Sequence, residues 1–211
     1  MTRLVSIAEQ GRDAARSELE RCIGAGGVAV FPADGLYGLA CDPLDRGAIA
    51  RVHEIKGRDE GKPSAVLYFS PLAMRELLAG LGSATREALA SLLPGPVTLV
   101  VANPERRYPL ACGGTPERLG VRLIDGPLAG VMCPLLQTSA NRSGEPPPAR
   151  LEQVPAEVLD GADLAIDGGE LTGEPSTVVD ISGIDADGSW SVLREGGLSR
   201  ERLEAALGAA A

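Results

Sequence analysis

The stretch GAGGVAVFPADGLYGLACD (residues 24–42) combines the end of a helix, a buried strand and a polar loop. Before it, apolar residues recur at steps of three and four, which predicts an amphipathic helix ending at the glycines; they are Ile7, Ala8, Ala15, Leu19, Cys22 and Ile23. The short apolar run VAVF (28–31) predicts a buried strand. The polar loop after it is a candidate site, because functional residues concentrate in loops at strand ends.

The rest of the chain continues to alternate helices with strands. Helices are predicted over residues 45–56, from Ser70-Pro71 onward, and over 198–207. Short strands are predicted at AVLYF (65–69), after the turn at 94–96, and at GVRLI (120–124), LLQTSA (135–140), DLAID (163–167), STVVDI (176–181) and WSVLR (190–194). Because helices and strands do not follow a strict repeat, we predict an α/β (mixed α+β) protein with a twisted, mixed sheet flanked by helices.

Composition limits the classes of partner. The 211 residues include 20 Lys and Arg against 29 Asp and Glu, a net charge of −9 at pH 7. Such a chain repels nucleic acids and anionic membranes on average, so any site for a polyanion must be a local pocket. Aromatic residues are only 3%, which argues against an extended platform for stacking bases. We predict one domain over residues 1–211.

The cysteines and the histidine do not have the spacing of a metal site. Cys22, Cys41, Cys112 and Cys133 form no C-x-x-C pair, and His53 is the only histidine. We therefore expect no metal held by the protein. The N-terminal residues lack a signal-peptide core, and no run approaches the roughly 18 apolar residues of a membrane span. A cytoplasmic protein with reduced cysteines and no membrane partner is predicted.

Three common motifs do not apply. GAGGVA (24–29) fits a dinucleotide fingerprint in letters, but it follows a helix and opens a strand, which is the reverse of the required order. GRDEGKPS (57–64) has too few residues between its glycines for a phosphate loop, and Pro63 lacks an amide donor. A catalytic triad would need His53, which lies mid-helix without a G-x-S-x-G segment elsewhere.

Four polar regions remain as candidate sites. They are FPADGLYGLACD (31–42), KGRDEGKP (56–63), TSANRSGEPPP (138–148), and the pair PSTVVD (175–180) with LREGG (193–197). Both lysines of this arginine-rich chain lie in the second region, which suggests that an ammonium group is needed there. Each region could also be ordinary turn chemistry, and KGRDEGKP could be a solvated helix end in which Asp59 and Glu60 pair with the lysines.

In this order the regions resemble the YrdC/Sua5 family, the threonylcarbamoyl-AMP synthases. The resemblance runs through FPADGLYGLACD, KGR, KP, PGPVT, GVRLID, SANRSG, STVVD and LREG, and covers nearly the whole chain. It implies a YrdC/RibB-like three-layer fold with a concave central cavity, in the short form without the C-terminal Sua5 domain. It also implies a nucleotidyltransferase that converts ATP, bicarbonate and L-threonine into threonylcarbamoyl-AMP and pyrophosphate, for the t6A modification of tRNA.

The resemblance further implies the residues and partners of this reaction. Lys56 and Arg58 match the K-x-R motif and are the expected catalytic residues. The expected ATP ligands are Lys56, Arg58, Lys62, Ser139, Asn141 and Arg194. The expected threonine ligands are Arg122, Ser176, Thr177, Tyr37 and Asp34, although Tyr37 suits a core position equally well. Mg²⁺ is expected to bind through the ATP phosphates. A separate threonylcarbamoyl transferase complex is the implied recipient of the product.

The most consequential departure from the family pattern is at residue 33. The chain has Pro32-Ala33-Asp34 where relatives usually have P-T-[DE], so a hydroxyl expected at the threonine site is absent. This absence leaves open a diverged enzyme that activates a different amine. The resemblance leaves open a second alternative, a non-catalytic ribosome-maturation factor that binds double-stranded RNA or tRNA, because members of the family are described as binding double-stranded RNA. No residue in the sequence is an obvious general base.

Overall fold

A computed structural model describes residues 1–59 and 61–208. Its strands form one ten-stranded sheet: β1 (Arg3–Ser6), β2 (Ala29–Pro32), β3 (Tyr37–Cys41), β4 (Ala65–Tyr68), β5 (Val97–Ala102), β6 (Arg118–Leu123), β7 (Leu135–Ser139), β8 (Leu164–Asp167), β9 (Thr177–Gly183) and β10 (Ser189–Arg194). The helices are α1 (Ile7–Gly24), α2 (Arg46–Lys56), α3 (Arg75–Ala79), α4 (Ser83–Leu92), α5 (Ala156–Gly161), α6 (Ile184–Asp187) and α7 (Arg200–Leu207).

The sheet is mixed and its strand order is far from sequential. The order is β1-β8-β2-β3-β7-β4-β6-β5-β9-β10. Parallel pairs join β1 with β8, β2 with β8, β4 with β6, and β5 with β9. The other neighbours are antiparallel. Strands distant in sequence are thereby placed side by side, so the loops at their ends meet in one region.

Helices cover the two faces of the sheet unequally. One face packs against α2, α3, α4, α5 and α7, and forms the larger apolar core. The opposite face is covered by α1, which contacts β1, β8 and β2 at one end of the sheet. Ala15, Leu19, Cys22 and Ile23 of α1 form the second apolar core there. The remainder of this face, over β5, β6 and β9, lines a cavity instead of a core.

The boundaries of α2 determine where KGRDEGKP begins. Asp45 caps the helix, its carboxylate accepting hydrogen bonds from the amides of Gly47 at 2.8 Å and Ala48 at 3.0 Å. Gly57 ends the helix in the left-handed conformation, with φ of +58°. This reversal directs Lys56 and Arg58 to different surroundings although they are two residues apart.

Most predicted elements are present, and the α/β prediction of a mixed sheet flanked by helices is confirmed. Several local predictions were incomplete. The strand β3 and the helices α5 and α6 were not predicted, and residues 37–41 were interpreted as part of a polar loop. The strand β1 was not predicted, because RLVS becomes a strand only through pairing with the distant β8. One helix was predicted after Ser70-Pro71, but the segment forms turns and two helices, α3 and α4, separated near Gly80 and Gly82. His53 lies on α2 and is buried, in agreement with a core position.

No helix within residues 1–59 or 61–208 has both the length and the apolar character needed to cross a membrane.

Candidate active site

A cavity of about 410 Å³ lies on the sheet face that α1 leaves uncovered. Its floor is formed by the alternate residues of β5, β6 and β9 that point away from the larger core, among them Thr98, Gly120, Arg122 and Val178. The loops after β2, α2, β7 and before β9 form its walls. All four polar regions singled out in the sequence contribute residues to this cavity.

The cavity is positively charged within an acidic protein. Its lining includes Arg58, Arg118, Arg122 and Arg194, against the carboxylates of Asp34 and Glu174. The chain as a whole carries a net charge of −9. Clustered cations in a concave site with limited access to water attract anionic ligands more strongly than the same charges spread over a surface. The cavity therefore suits a small ligand with several negative charges.

Arg122 is a buried cation on the cavity floor. Its Nη1 donates to Gln137 Oε1 at 3.0 Å, and its Nη2 lies 3.3 Å from Asp34 Oδ2. Its Nε is buried with no hydrogen-bond partner among the described residues. Burial lowers the pKa of Arg122, and the carboxylate of Asp34 opposes that effect. The guanidinium is thus only partly satisfied by the protein and is suited to bind a carboxylate or another planar anion.

Arg194 and Ser176 form a second polar group at the cavity wall. Arg194 Nη2 donates to the carbonyl oxygen of Ser176 at 2.7 Å, and lies 3.3 Å from its hydroxyl oxygen. The Ser176 hydroxyl also lies 3.0 Å from that of Thr98 on β5. Burial lowers the pKa of Arg194. These contacts hold the guanidinium of a strand-end residue against the start of β9.

Arg58 connects the KGRDEGKP region to β7. Its Nη1 donates to the Thr138 hydroxyl at 3.1 Å, and its Nη2 donates to the carbonyl oxygen of Pro63 at 2.5 Å. Burial lowers the pKa of Arg58, yet its side chain still lines the cavity. Ser139, the next residue of β7, lines the same wall. Arg58 and Ser139 therefore line the same cavity.

Tyr37 contributes to the cavity wall mainly as a structural residue. It is completely buried, and its hydroxyl donates to the carbonyl oxygen of Gly169 at 2.8 Å and accepts from the amide of Gly168 at 3.0 Å. Burial raises the pKa of Tyr37 to about 12. The hydroxyl thus ties β3 to the loop after β8.

Four predicted ligands do not line the cavity. Thr177 is completely buried, with its hydroxyl oxygen 2.9 Å from both the amide and the carbonyl oxygen of Leu198. Asn141 is buried in the loop after β7. Lys62 is exposed outside the cavity, and Glu60, considered above as a pairing partner, lies outside the described residues. Lys56 is 4% exposed and points into the protein.

Ala33 lines the cavity beside Asp34 but is 2% exposed. It lies close to Gly38 on the neighbouring strand, where an added Cβ would be 3.1 Å from the Ala33 methyl group. Burial raises the pKa of Asp34, and Arg122 opposes this shift. The position where a hydroxyl is expected is therefore a small, closely packed apolar contact.

Sequence reasoning missed several polar residues of the cavity, among them Arg118 and Gln137. Arg118 lines it and pairs with Asp180 of β9, with Nη1 2.9 Å from Oδ2. The signal was available, because Arg118 and Arg122 are four residues apart on one strand and so lie on the same face. Gln137, which orients Arg122, gave no comparable signal, since its contact depends on the pairing of β7 with distant strands.

Among residues 1–59 and 61–208, no group of three or more His, Cys, Asp or Glu side chains could hold a metal ion. Of the two carboxylates that line the cavity, Asp34 and Glu174, the first pairs with Arg122.

Known proteins are similar to this chain over most of its length. A family profile for Sua5/YciO/YrdC, described as "Telomere recombination", matches residues 21–196. The threonylcarbamoyl-AMP synthase of Chromohalobacter salexigens is 36% identical over 163 residues, covering 74% of this chain and 86% of that protein. The synthase of Thiobacillus denitrificans is 31% identical, covering 84% of this chain and 96% of that protein.

A solved structure has the same fold. The crystal structure of P. abyssi Sua5 complexed with L-threonine superposes with a TM-score of 0.85 at 28% identity. The match covers 98% of this chain and 61% of the P. abyssi chain. This similarity and the family match lead to one conclusion: the chain belongs to the Sua5/YciO/YrdC family.

Proposed function

We propose that this protein is an L-threonylcarbamoyladenylate synthase, which joins ATP, bicarbonate and L-threonine and releases pyrophosphate. The observation that carries the proposal is the cavity, in which four arginines of an acidic chain converge beside Ser139 and Ser176. Its family relatives bear the name of this activity. A triphosphate and a carbamate both require a dense positive site, and few other small substrates carry so much charge.

The arginines supply the electrostatic part of the chemistry. When AMP is transferred to the carbamate oxygen, negative charge grows on the departing pyrophosphate, and preorganised cations stabilise that charge without reorganising. We assign contact with the nucleotide to Arg58, Ser139 and Arg194, and their common position on the cavity lining supports this assignment. For Lys62 and Asn141, neither of which lines the cavity, direct contact with ATP stays a prediction. Mg²⁺ enters this proposal as part of the ATP complex.

Threonine is assigned to the floor around Arg122. The carboxylate of threonine would pair with the Arg122 guanidinium, which the protein satisfies only in part. Asp34 and Ser176 would accept hydrogen bonds from the amine and the hydroxyl of threonine. Tyr37 and Thr177 would support this region from the core, consistent with their buried hydroxyl contacts. The product would pass to a separate transferase complex for the t6A modification of tRNA, with any contact to tRNA transient because the chain is acidic.

The test is pyrophosphate release by the purified protein with ATP, Mg²⁺ and bicarbonate. Threonine is compared with serine, other amino acids and no amino acid. We expect release to depend on threonine and to fall at least about 100-fold in Arg58→Met, the scale for loss of a transition-state contact. Arg200→Met is the matched control, because Arg200 is exposed and pairs only locally with Glu204 at 3.0 Å.

Two results would overturn the proposal. Release with another amino acid but not threonine would identify an enzyme for a different amine, the alternative that Ala33 motivates. No release with any amino acid, together with salt-sensitive binding of double-stranded RNA, would favour the non-catalytic alternative. The variant Ala33→Thr tests whether Ala33 weakens the binding of threonine. If the added hydroxyl forms a hydrogen bond with the substrate, the KM for threonine should fall by about two- to tenfold.

A further inference from the structure

We propose that Lys56 is a positioning residue, whose ammonium group fastens the backbone of residues 139–141 to the end of α2 and so fixes Ser139 on the cavity wall. This refines the sequence-based expectation that Lys56 contacts the phosphates directly. The test of this proposal by enzyme activity rests on the proposed function, but the main test, by amide hydrogen exchange, does not.

The Lys56 ammonium is surrounded by acceptors from one loop. Nζ donates to the carbonyl oxygen of Ser139 at 2.5 Å and to that of Asn141 at 2.6 Å, and lies 3.4 Å from Asn141 Oδ1. An ammonium has three N–H donors, so these three acceptors match its capacity. A phosphate could bind Nζ only by displacing one of them. The group is therefore committed to the protein before any substrate arrives.

Further hydrogen bonds tie the same two segments together. The amide of Ser143 donates to the carbonyl oxygen of Lys56 at 2.9 Å. The Asn141 amide group donates to the carbonyl oxygen of Glu145 at 2.6 Å, which closes the loop on itself. On its other side, the amide of Ala140 donates to the carbonyl oxygen of Tyr37 at 2.9 Å. Lys56 thus occupies the centre of a joint between α2, β3 and the end of β7.

The joint bears directly on the cavity. Thr138 and Ser139 line the wall, and the carbonyl oxygen of Ser139 accepts a hydrogen bond from Lys56. Thr138 also accepts the hydrogen bond from Arg58. Movement of this short segment would displace the serine hydroxyl and one contact of Arg58 together. A buried lysine can in this way control a site that it does not touch.

The main test measures amide hydrogen exchange in the nucleotide-free protein. In Lys56→Met, we expect the amides of Ala140 and Ser143 to exchange about tenfold faster or more, because hydrogen bonds to a charged group have been lost. The matched control is Lys62→Met, which removes the same charge from the same region at an exposed position. It should leave exchange at Ala140 and Ser143 unchanged. Unchanged exchange in Lys56→Met would overturn the proposal whatever the protein catalyses.

A double-mutant cycle links the joint to activity. If Lys56 acts through Ser139, the loss of kcat in Lys56→Met with Ser139→Ala should be clearly smaller than the product of the two single losses. If the two losses of kcat multiply and Lys56→Met alone raises the ATP KM, the result would instead indicate that Lys56 contacts the phosphates directly. Absence of activity in the unaltered protein would refute the proposed function and leave the exchange result intact.

The unaltered protein offers a test that does not depend on a variant folding. Only two lysines are present, so ¹⁵N labelling of lysine side chains gives two ammonium signals, and Lys62→Met assigns them. We expect slowly exchanging protons on Lys56 Nζ without nucleotide, and a nitrogen shift that a non-hydrolysable ATP analogue leaves in place. A large shift on binding the analogue would overturn the positioning role.

Discussion

The six residues of β6 alternate between apolar side chains on one face of the sheet and two arginines and a glycine on the other. Leu119, Val121 and Leu123 point into the larger core beneath the helices. Arg118, Gly120 and Arg122 point into the cavity. Because a strand alternates its side chains, the same backbone serves stability on one face and ligand binding on the other. Changes on the two faces should therefore have separable effects on folding and on activity.

The largest effect on activity is expected on the open face. Arg122→Met removes the buried guanidinium, and we expect kcat/KM for pyrophosphate release to fall by about 100-fold or more, as for other charged contacts in enclosed sites. The free energy of unfolding should fall by about 1–3 kcal/mol, because Gln137 and Asp34 lose their donor while the cost of burying the guanidinium is removed. Steady-state kinetics and urea unfolding measure the two quantities. A large loss of stability with normal kinetics in the folded fraction would contradict the separation.

The covered face should give the reverse result. Leu119 is completely buried, and Leu119→Ala should lower the free energy of unfolding by about 2–5 kcal/mol through lost burial and the cavity left behind. kcat/KM should stay within about threefold below the melting transition. Leu72→Ala is the control, because Leu72 is 61% exposed. Equal destabilisation by the two variants would mean that β6 does not have a covered face.

The pH dependence of the free energy of unfolding tests the burial of Lys56. Burial, together with the nearby charge of Arg58, lowers the pKa of Lys56 to about 8 from 10.5. Between these values the unfolded chain holds one more proton than the folded protein, so the free energy of unfolding should rise with pH through this window. The rise is about 3 kcal/mol if no other group intervenes.

Urea unfolding of the native protein and Lys56→Met from pH 7 to 10.5 isolates this contribution. The native protein should gain stability relative to the variant as pH increases. If the curves of unfolding free energy against pH run parallel for the two proteins, Lys56 has the same pKa in the folded and unfolded states. That result would contradict the burial of Lys56.

A smaller effect is expected at Gly113, which packs against the segment that anchors Arg58. Gly113 has φ of +58°, and an added Cβ would lie 2.3 Å from the carbonyl oxygen of Gly61, whereas at Gly114 nothing lies within 4 Å. Gly113→Ala should destabilise the protein by about 1–2 kcal/mol. It should also raise the ATP KM several-fold, because residues 61–63 would shift and Pro63 anchors Arg58. Gly114→Ala should change neither quantity, and similar effects of both substitutions would exclude this explanation.

The sequence predicted the covered face more completely than the open one. The helix 45–56 and the strands at 65–69, 120–124 and 176–181 follow from local apolar patterns and caps, and all are present. Of the predicted ligands, Arg58, Arg122, Ser139, Ser176 and Arg194 meet in one cavity with Asp34 and Tyr37. Lys56, Lys62, Asn141 and Thr177 lie outside it, because motif membership states which residues are close along the chain and not where each side chain points.

By itself, the sequence determined the alternation of helices and strands, the acidic background with its locally clustered cations, and the family. These depend on neighbouring residues or on composition, so they can be predicted from the chain alone. Only the tertiary structure decided that β6 lies between β4 and β5, that Arg118 joins the cavity, and that Lys56 turns toward the backbone after β7. Strand order and side-chain burial arise from contacts between residues far apart in the chain, and local patterns do not specify them.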